Sequence, residues 1–113
     1  MTGKRYNRAA TDTTAAFRHI PLFHTEDLHD VIPFDCVPVA IEFVVPSAVS
    51  LVTYVHPQRA LYIFGPEDGN IGKHILAWCK DIVTIPATYC LNLAAAVNVV
   101  LYDRLAKQKE RAL

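Results

Sequence analysis

The chain has 113 residues, 52% of them apolar and 19% charged, and its 11 basic and 11 acidic side chains cancel to a formal net charge of zero. That length suits one domain with one hydrophobic core, and that composition excludes a disordered chain. A zero balance also excludes a global field drawing the chain to nucleic acid or membrane, and leaves only local basic patches for that task.

Residues 1 to 14 are polar and Thr-rich and read as a loop or arm, with Asp12 or Thr13 placed to cap a turn over Ala15-Ala16-Phe17. His19 to Phe23 is a short apolar piece broken by Pro21, which suits a brief edge strand. Thr25-Glu26-Asp27 ahead of Leu28 and Val31-Ile32 predicts a capped short helix that Pro33 stops. Val37 to Val45 is a β-branched run without polar alternation, the pattern of a strand covered on both faces. Ser47 to Pro57 reads as a connection, with an extended piece at Leu51 to Val55. Ala60 to Phe64 is the next buried strand, and a helix is expected over Ile71 to Cys79 with Ile71, Ile75, Leu76 and Trp78 or Cys79 turned inward. Asp81 to Ile85 is a further short strand. Leu91 to about Lys107 is the longest helix, apolar almost all round in its first half and so expected to be buried on several sides. Strands alternating with helices predict an α/β fold with a mainly parallel sheet. For a complete fold of that kind the sheet is short of elements on its N-terminal side.

Three cysteines (Cys36, Cys79, Cys90) are odd in number and set in apolar surroundings, which predicts reduced, buried thiols. His19, His24 and His29 recur every five residues, the period of neither a helix nor a strand face, so no metal site is expected. No run is apolar enough to span a bilayer and no signal-like segment follows the basic N-terminus, so a soluble, cytoplasmic protein is expected. Basic residues gather at both ends, and Lys107, Lys109 and Arg111 read as a solvated helix terminus complementing its dipole.

Chemistry is expected at two strand-loop-helix joints, Phe64-Gly65-Pro66-Glu67-Asp68-Gly69-Asn70-Ile71 and Ile85-Pro86-Ala87-Thr88-Tyr89-Cys90-Leu91-Asn92. In open parallel sheets, ligands bind beyond the carboxyl ends of strands, where loops enter helices. Gly65 permits close approach, Pro66 fixes the turn, and Gly69 or Asn70 can turn left-handed. The glycine spacing is that of neither a dinucleotide fingerprint nor a phosphate loop. Glu67 and Asn92 place polar groups at both lips of otherwise apolar joints, where a partly buried carboxylate or amide needs a partner. For Asn92 the alternative is that it caps its own helix.

These two joints, followed by Leu93-Ala94-Ala95-Ala96 and Tyr102-Asp103, resemble in order and spacing the second and third motifs of SpoU-type RNA ribose methyltransferases of the SPOUT class. The match runs over residues 60 to 105, within a chain read as one domain. Thr11-Asp12-Thr13-Thr14 to His19-Ile20-Pro21-Leu22 is similar to a subgroup of small stand-alone members. The resemblance implies a deep trefoil knot at the C-terminal part and S-adenosylmethionine bound in it. Gly65, Pro66, Ile85, Pro86, Cys90 and Leu91 would wrap the adenosine, with Ile41 as a third wall. It further implies methyl transfer to a ribose 2′-hydroxyl of tRNA or rRNA, with Glu67 and Asn92 at the reacting centre. A homodimer formed through the apolar face of the last helix is implied too, as is RNA held by Arg5, Arg8 and Arg18. Cys90 stands where the family usually has Ser, and Asn70 where it usually has Gly. The family's first motif, an Asn followed by an Arg, has no counterpart, so the chain reads as starting after that unit. The alternatives are a non-catalytic knotted module that binds cofactor or RNA or dimerises, and an unrelated α/β ligand-binding domain.

Overall fold

A computed structural model describes residues 22–43, 47–66, 71–86 and 92–112. The chain divides into two compact units, Met1–Pro33 and Phe34–Leu113. In the first, a 3-10 helix spans Leu28–Val31, and Asp27 caps it by accepting from the His29 amide, as the Thr-Glu-Asp signal predicts. The expected edge strand at 19–23 falls mostly outside the described residues, and its last two residues, Leu22 and Phe23, are exposed coil.

The second unit holds a four-stranded, all-parallel sheet in the order β2-β4-β1-β3, formed by β1 (Val37–Ile41), β2 (Val49–Ser50), β3 (Ala60–Phe64) and β4 (Asp81–Thr84). The central strand β1 carries the least polar sequence because both its neighbours and both its faces are covered. Val39 and Ala40 are fully buried, and with Ile41, Val83, Ile85, Leu51 and Tyr54 they make most of the core. Pro38 is tolerated near the start of β1, where its carbonyl still accepts from the Lys80 amide.

Three expectations need correction. The strand at Val37 to Val45 ends at Ile41, since Glu42 leaves the apolar pattern there. The extended piece of the following connection lies at Val49–Ser50, and residues 51–53 form a turn closed by the Thr53 amide on the Ser50 carbonyl. The helix expected over 71–79 shrinks to α1 (Lys73–Leu76), started at Gly72 and succeeded by turns at Trp78 and Cys79. Ile71 is buried as expected, whereas Cys79 and Cys36 are half-buried free thiols. Burial pushes the Cys79 thiol above its ordinary range.

Helix α2 (Leu93–Ala112) runs beyond the expected end. Its buried stripe is narrow: Ala96 and Val100 enter the core, and Asp103, Arg104 and Lys107 continue the same face at helical spacing. The opposite side, expected to be covered, is open. Val99, Leu101, Tyr102 and Leu105 are exposed, Tyr102 at 72% and both leucines at 48%.

The polar half of the stripe clamps α2 onto residues 51–58. Lys107 Nζ donates to the Leu51 and Tyr54 carbonyls at 2.6 and 2.8 Å and pairs with Asp103 at 2.8 Å. The Arg104 guanidinium donates to the Pro57 and Gln58 carbonyls and to the Tyr62 hydroxyl. His56, whose side chain is 4% exposed, bridges Tyr62 (2.7 Å at Nδ1) and Asp103 (2.7 Å at Nε2). One tautomer satisfies the whole network: Tyr62 donates to Nδ1, and Nε2–H donates to Asp103. The expected solvated basic terminus is corrected at Lys107, which saturates its three donors on this clamp.

Nearby, the buried Tyr54 hydroxyl donates to Asp81 Oδ2 at 2.7 Å. Burial first, and then the Asp81 carboxylate, hold Tyr54 well above its ordinary value of 10.0. An unfolded chain ionises Tyr54 near that ordinary value while the folded one resists, so this stabilisation is present below about pH 10 and fades as pH rises beyond it. Tyr54→Phe is expected to cost about 1–2 kcal/mol in urea unfolding at neutral pH. It should also flatten the alkaline loss of stability, which a pH series of melts reads directly.

Candidate functional site

Because every strand is parallel, all the carboxyl ends fall on one edge of the sheet. The register sets Phe64, Ile41 and Val83 level across β3, β1 and β4, and Ser50 level with Thr84 across β2 and β4. One residue further on, Gly65, Glu42 and Thr84 emerge side by side, followed by Pro66, Phe43 and Ile85. With strands spaced about 4.8 Å apart, the Gly65-Pro66 and Ile85-Pro86 joints flank the end of β1 across about 10 Å. This is the span of a ligand the size of a nucleoside.

Ile41 and Ile85 are buried members of the core and make an apolar floor, while Gly65 is half-buried and Pro66 and Pro86 are exposed at the rim. Both prolines lack an N–H, so the joints offer carbonyl oxygens more readily than donors. That donor-poor, acceptor-rich rim over an apolar floor suits a flat heterocycle bearing an amino group.

The edge is held together by side chains that the sequence reading did not single out. The Thr84 hydroxyl donates to the Phe43 carbonyl at 2.7 Å, and the Glu42 amide donates to the Val83 carbonyl at 2.9 Å. The Glu42 carboxylate accepts from the Ile71 amide. The one legible signal was an acidic residue inside an otherwise apolar strand pattern.

Asn92 takes the capping alternative. It is exposed, its Oδ1 accepts from the Ala95 amide at 2.8 Å, and its carbonyl receives the Ala96 amide. The expected partly buried amide in need of a partner is therefore corrected. Glu67, Cys90, Leu91, Arg5, Arg8 and Arg18 lie outside the described residues.

The described arginine side chains stand elsewhere. Arg59, paired with Asp35 at 3.3 Å, directly precedes β3, and Arg104 is spent on the carbonyls of Pro57 and Gln58, also ahead of β3. Both belong to the amino-terminal edge. An open groove of about 250 Å³ lies between residues 53–56 and the C-terminal half of α2. Its cations Arg104 and Lys107 are turned onto main-chain carbonyls, so its wall offers an anion little. The edge formed by the strand ends is the better site.

The sequence profile of the SpoU rRNA Methylase family matches residues 2–102, nearly the whole chain and both joints. The chain belongs to that family. It is thus a SpoU-type member of the SPOUT methyltransferases, as the resemblance implied, and the parallel α/β sheet agrees with that membership. No curated protein matches the chain. The family acts on RNA and uses S-adenosylmethionine in general. Among the described residues, no helix is long and apolar enough to cross a membrane, and no group of acidic, His or Cys side chains could hold a metal ion.

Proposed function

We propose that this chain is an S-adenosylmethionine-dependent RNA ribose 2′-O-methyltransferase, with the cofactor bound at the carboxyl edge of β3, β1 and β4. The observation that carries the reading is the convergence of Gly65-Pro66 and Ile85-Pro86 on either side of Ile41, over one apolar floor. The residues present fit the group. The carbonyls of the two joints would receive the adenine amino group, Ile41 and Ile85 would support the ring, and Cys90 and Leu91 would close the pocket from the start of α2. When bound, the cofactor supplies an electrophilic methyl group. The protein's part is to orient the pocket, exclude water from it and bring a ribose hydroxyl into line. Glu67 and Asn92, one on each joint, are assigned to that acceptor side, Asn92 through the amide nitrogen that its helix-capping Oδ1 leaves over, with Arg5, Arg8 and Arg18 meeting RNA phosphates. The C-terminal segment is assigned the family's trefoil knot, and the cytoplasm is the proposed compartment.

A ribose hydroxyl is a very weak acid, so transfer needs a positioned base or cation. The described arginine side chains, Arg59 and Arg104, are committed at the opposite edge. A second reading is a knotted module that binds cofactor and RNA without turnover. The two are separated by incubating the chain with bulk tRNA and rRNA and methyl-labelled cofactor, then analysing nucleosides. A 2′-O-methyl nucleoside above the no-enzyme level supports the enzyme, and cofactor binding with none supports the module.

The open face of α2 supports a homodimer. Ala94, Ala95, Val99, Leu101, Tyr102, Leu105 and Ala106 are interrupted by one amide, Asn98. A helix apolar on both sides belongs inside an interface.

A further inference from the structure

Glu42 is a buried carboxylate, at 8% exposure. A buried carboxylate is costly unless donors reach it. None of the described salt bridges uses Glu42. Its partners are main-chain amides, Ile71 N on Oε2 at 3.0 Å and Phe43 N on Oε1 at 3.3 Å. The bond to Ile71 joins residues 29 apart in sequence. It ties the end of β1 to the point where the chain returns after the Gly65-Pro66 joint. Glu42 is itself pinned, since its amide is bonded to Val83 and the neighbouring Phe43 carbonyl to Thr84. The Glu42 side chain therefore links the end of β1 to Ile71, and its main chain links the same point to β4.

We propose that Glu42 is a positioning residue for the methyl-donor site, holding the buried Ile71 against the carboxyl end of β1. This rests on the donor reading given above. Phe64 lies in β3 and Glu42 holds the Ile71 amide, so the chain on both sides of the loop expected at residues 67–70 is tied to the strands that frame the site. Wall residues fixed before the ligand arrives spare its binding the cost of ordering them. No cation neutralises the carboxylate among the described ion pairs, which fits a part played through main-chain geometry.

The test is calorimetric titration of S-adenosylmethionine into the full chain, with Ile71 amide exchange followed by NMR, at a temperature where circular dichroism shows each variant folded. Glu42→Ala is expected to raise Kd about tenfold or more and to open exchange at Ile71. Glu42→Gln keeps an acceptor oxygen for the Ile71 amide and should recover most of the affinity. Tyr54→Phe costs stability far from this loop and should keep the wild-type Kd, which separates positioning from general loosening. If Glu42→Ala does not fold, Glu42→Asp replaces it: one methylene short of Ile71, it should weaken binding where Glu42→Gln does not. A wild-type Kd in Glu42→Ala, or equal Kd values for the Asp and Gln variants, overturns the inference while leaving the donor reading intact. No binding by the wild type overturns the donor reading, and this inference with it.

Discussion

Replacing Asp103 with alanine is expected to lower the unfolding free energy by about 2–3 kcal/mol, a large share of the 5–15 kcal/mol that holds a domain this size. Asp103 Oδ2 is the shared acceptor of His56 and Lys107, and the side chains of Asp103, His56 and Lys107 are only 23%, 4% and 26% exposed. Removing it strands a ring N–H in the core and leaves an ammonium facing only carbonyls. Tyr62 and Arg104 then lose the partner that fixes the His56 tautomer, so the loss exceeds that of one hydrogen bond. Asp103→Asn keeps one acceptor oxygen and should fall between alanine and wild type. Urea unfolding of Asp103→Ala, Lys107→Met and the double variant reads the coupling, expected at about 1 kcal/mol or more for groups in one network. A fully additive pair would mean the clamp is a surface ion pair of little worth.

The second large effect concerns assembly. The open face of α2 presents Leu101 and Leu105 one helical turn apart, with Tyr102 and Val99 beside them. A twenty-residue helix is about 30 Å long, enough to supply much of one side of a stable dimer interface. The chain is expected to sediment at twice its monomer mass. Leu101→Asp with Leu105→Asp should return it to a monomer, because each change buries a carboxylate at the centre of the contact and costs about 2 kcal/mol or more. Both positions are half-exposed in the single chain, so the fold should survive and circular dichroism should be unchanged. A wild type that sediments as a monomer at tens of micromolar would contradict the assignment.

Sequence and structure part company for identifiable reasons. Ala60 to Phe64 was legible to the residue because five apolar positions are bounded by turn formers, and the last helix was legible because a long run rich in Leu, Ala and Val follows Asn92. Strand β2 was not, since two residues of backbone pairing leave no periodicity, and its place beside β4 is set by tertiary contact. The shortness of α1 has a local cause: Gly72 starts the helix, and turns follow within a few residues. Lys107 looked like a solvated terminus because charge alone does not tell whether two carbonyls and a carboxylate wait within reach. Glu42 was passed over as part of an apolar run, although a carboxylate there is what ties the edge together. The strand β3 that leads into the site was therefore readable, and the side chains that hold the sheet edge were not.

The claim that the methyl donor occupies the carboxyl edge of the sheet is tested most directly by amide chemical shifts of the labelled chain as S-adenosylmethionine is added. The account predicts perturbations concentrated at residues 41–43, 64–66, 71 and 84–86, with the groove between residues 53–56 and 104–110 unmoved. Shifts centred on that groove, or none at millimolar cofactor, would contradict it.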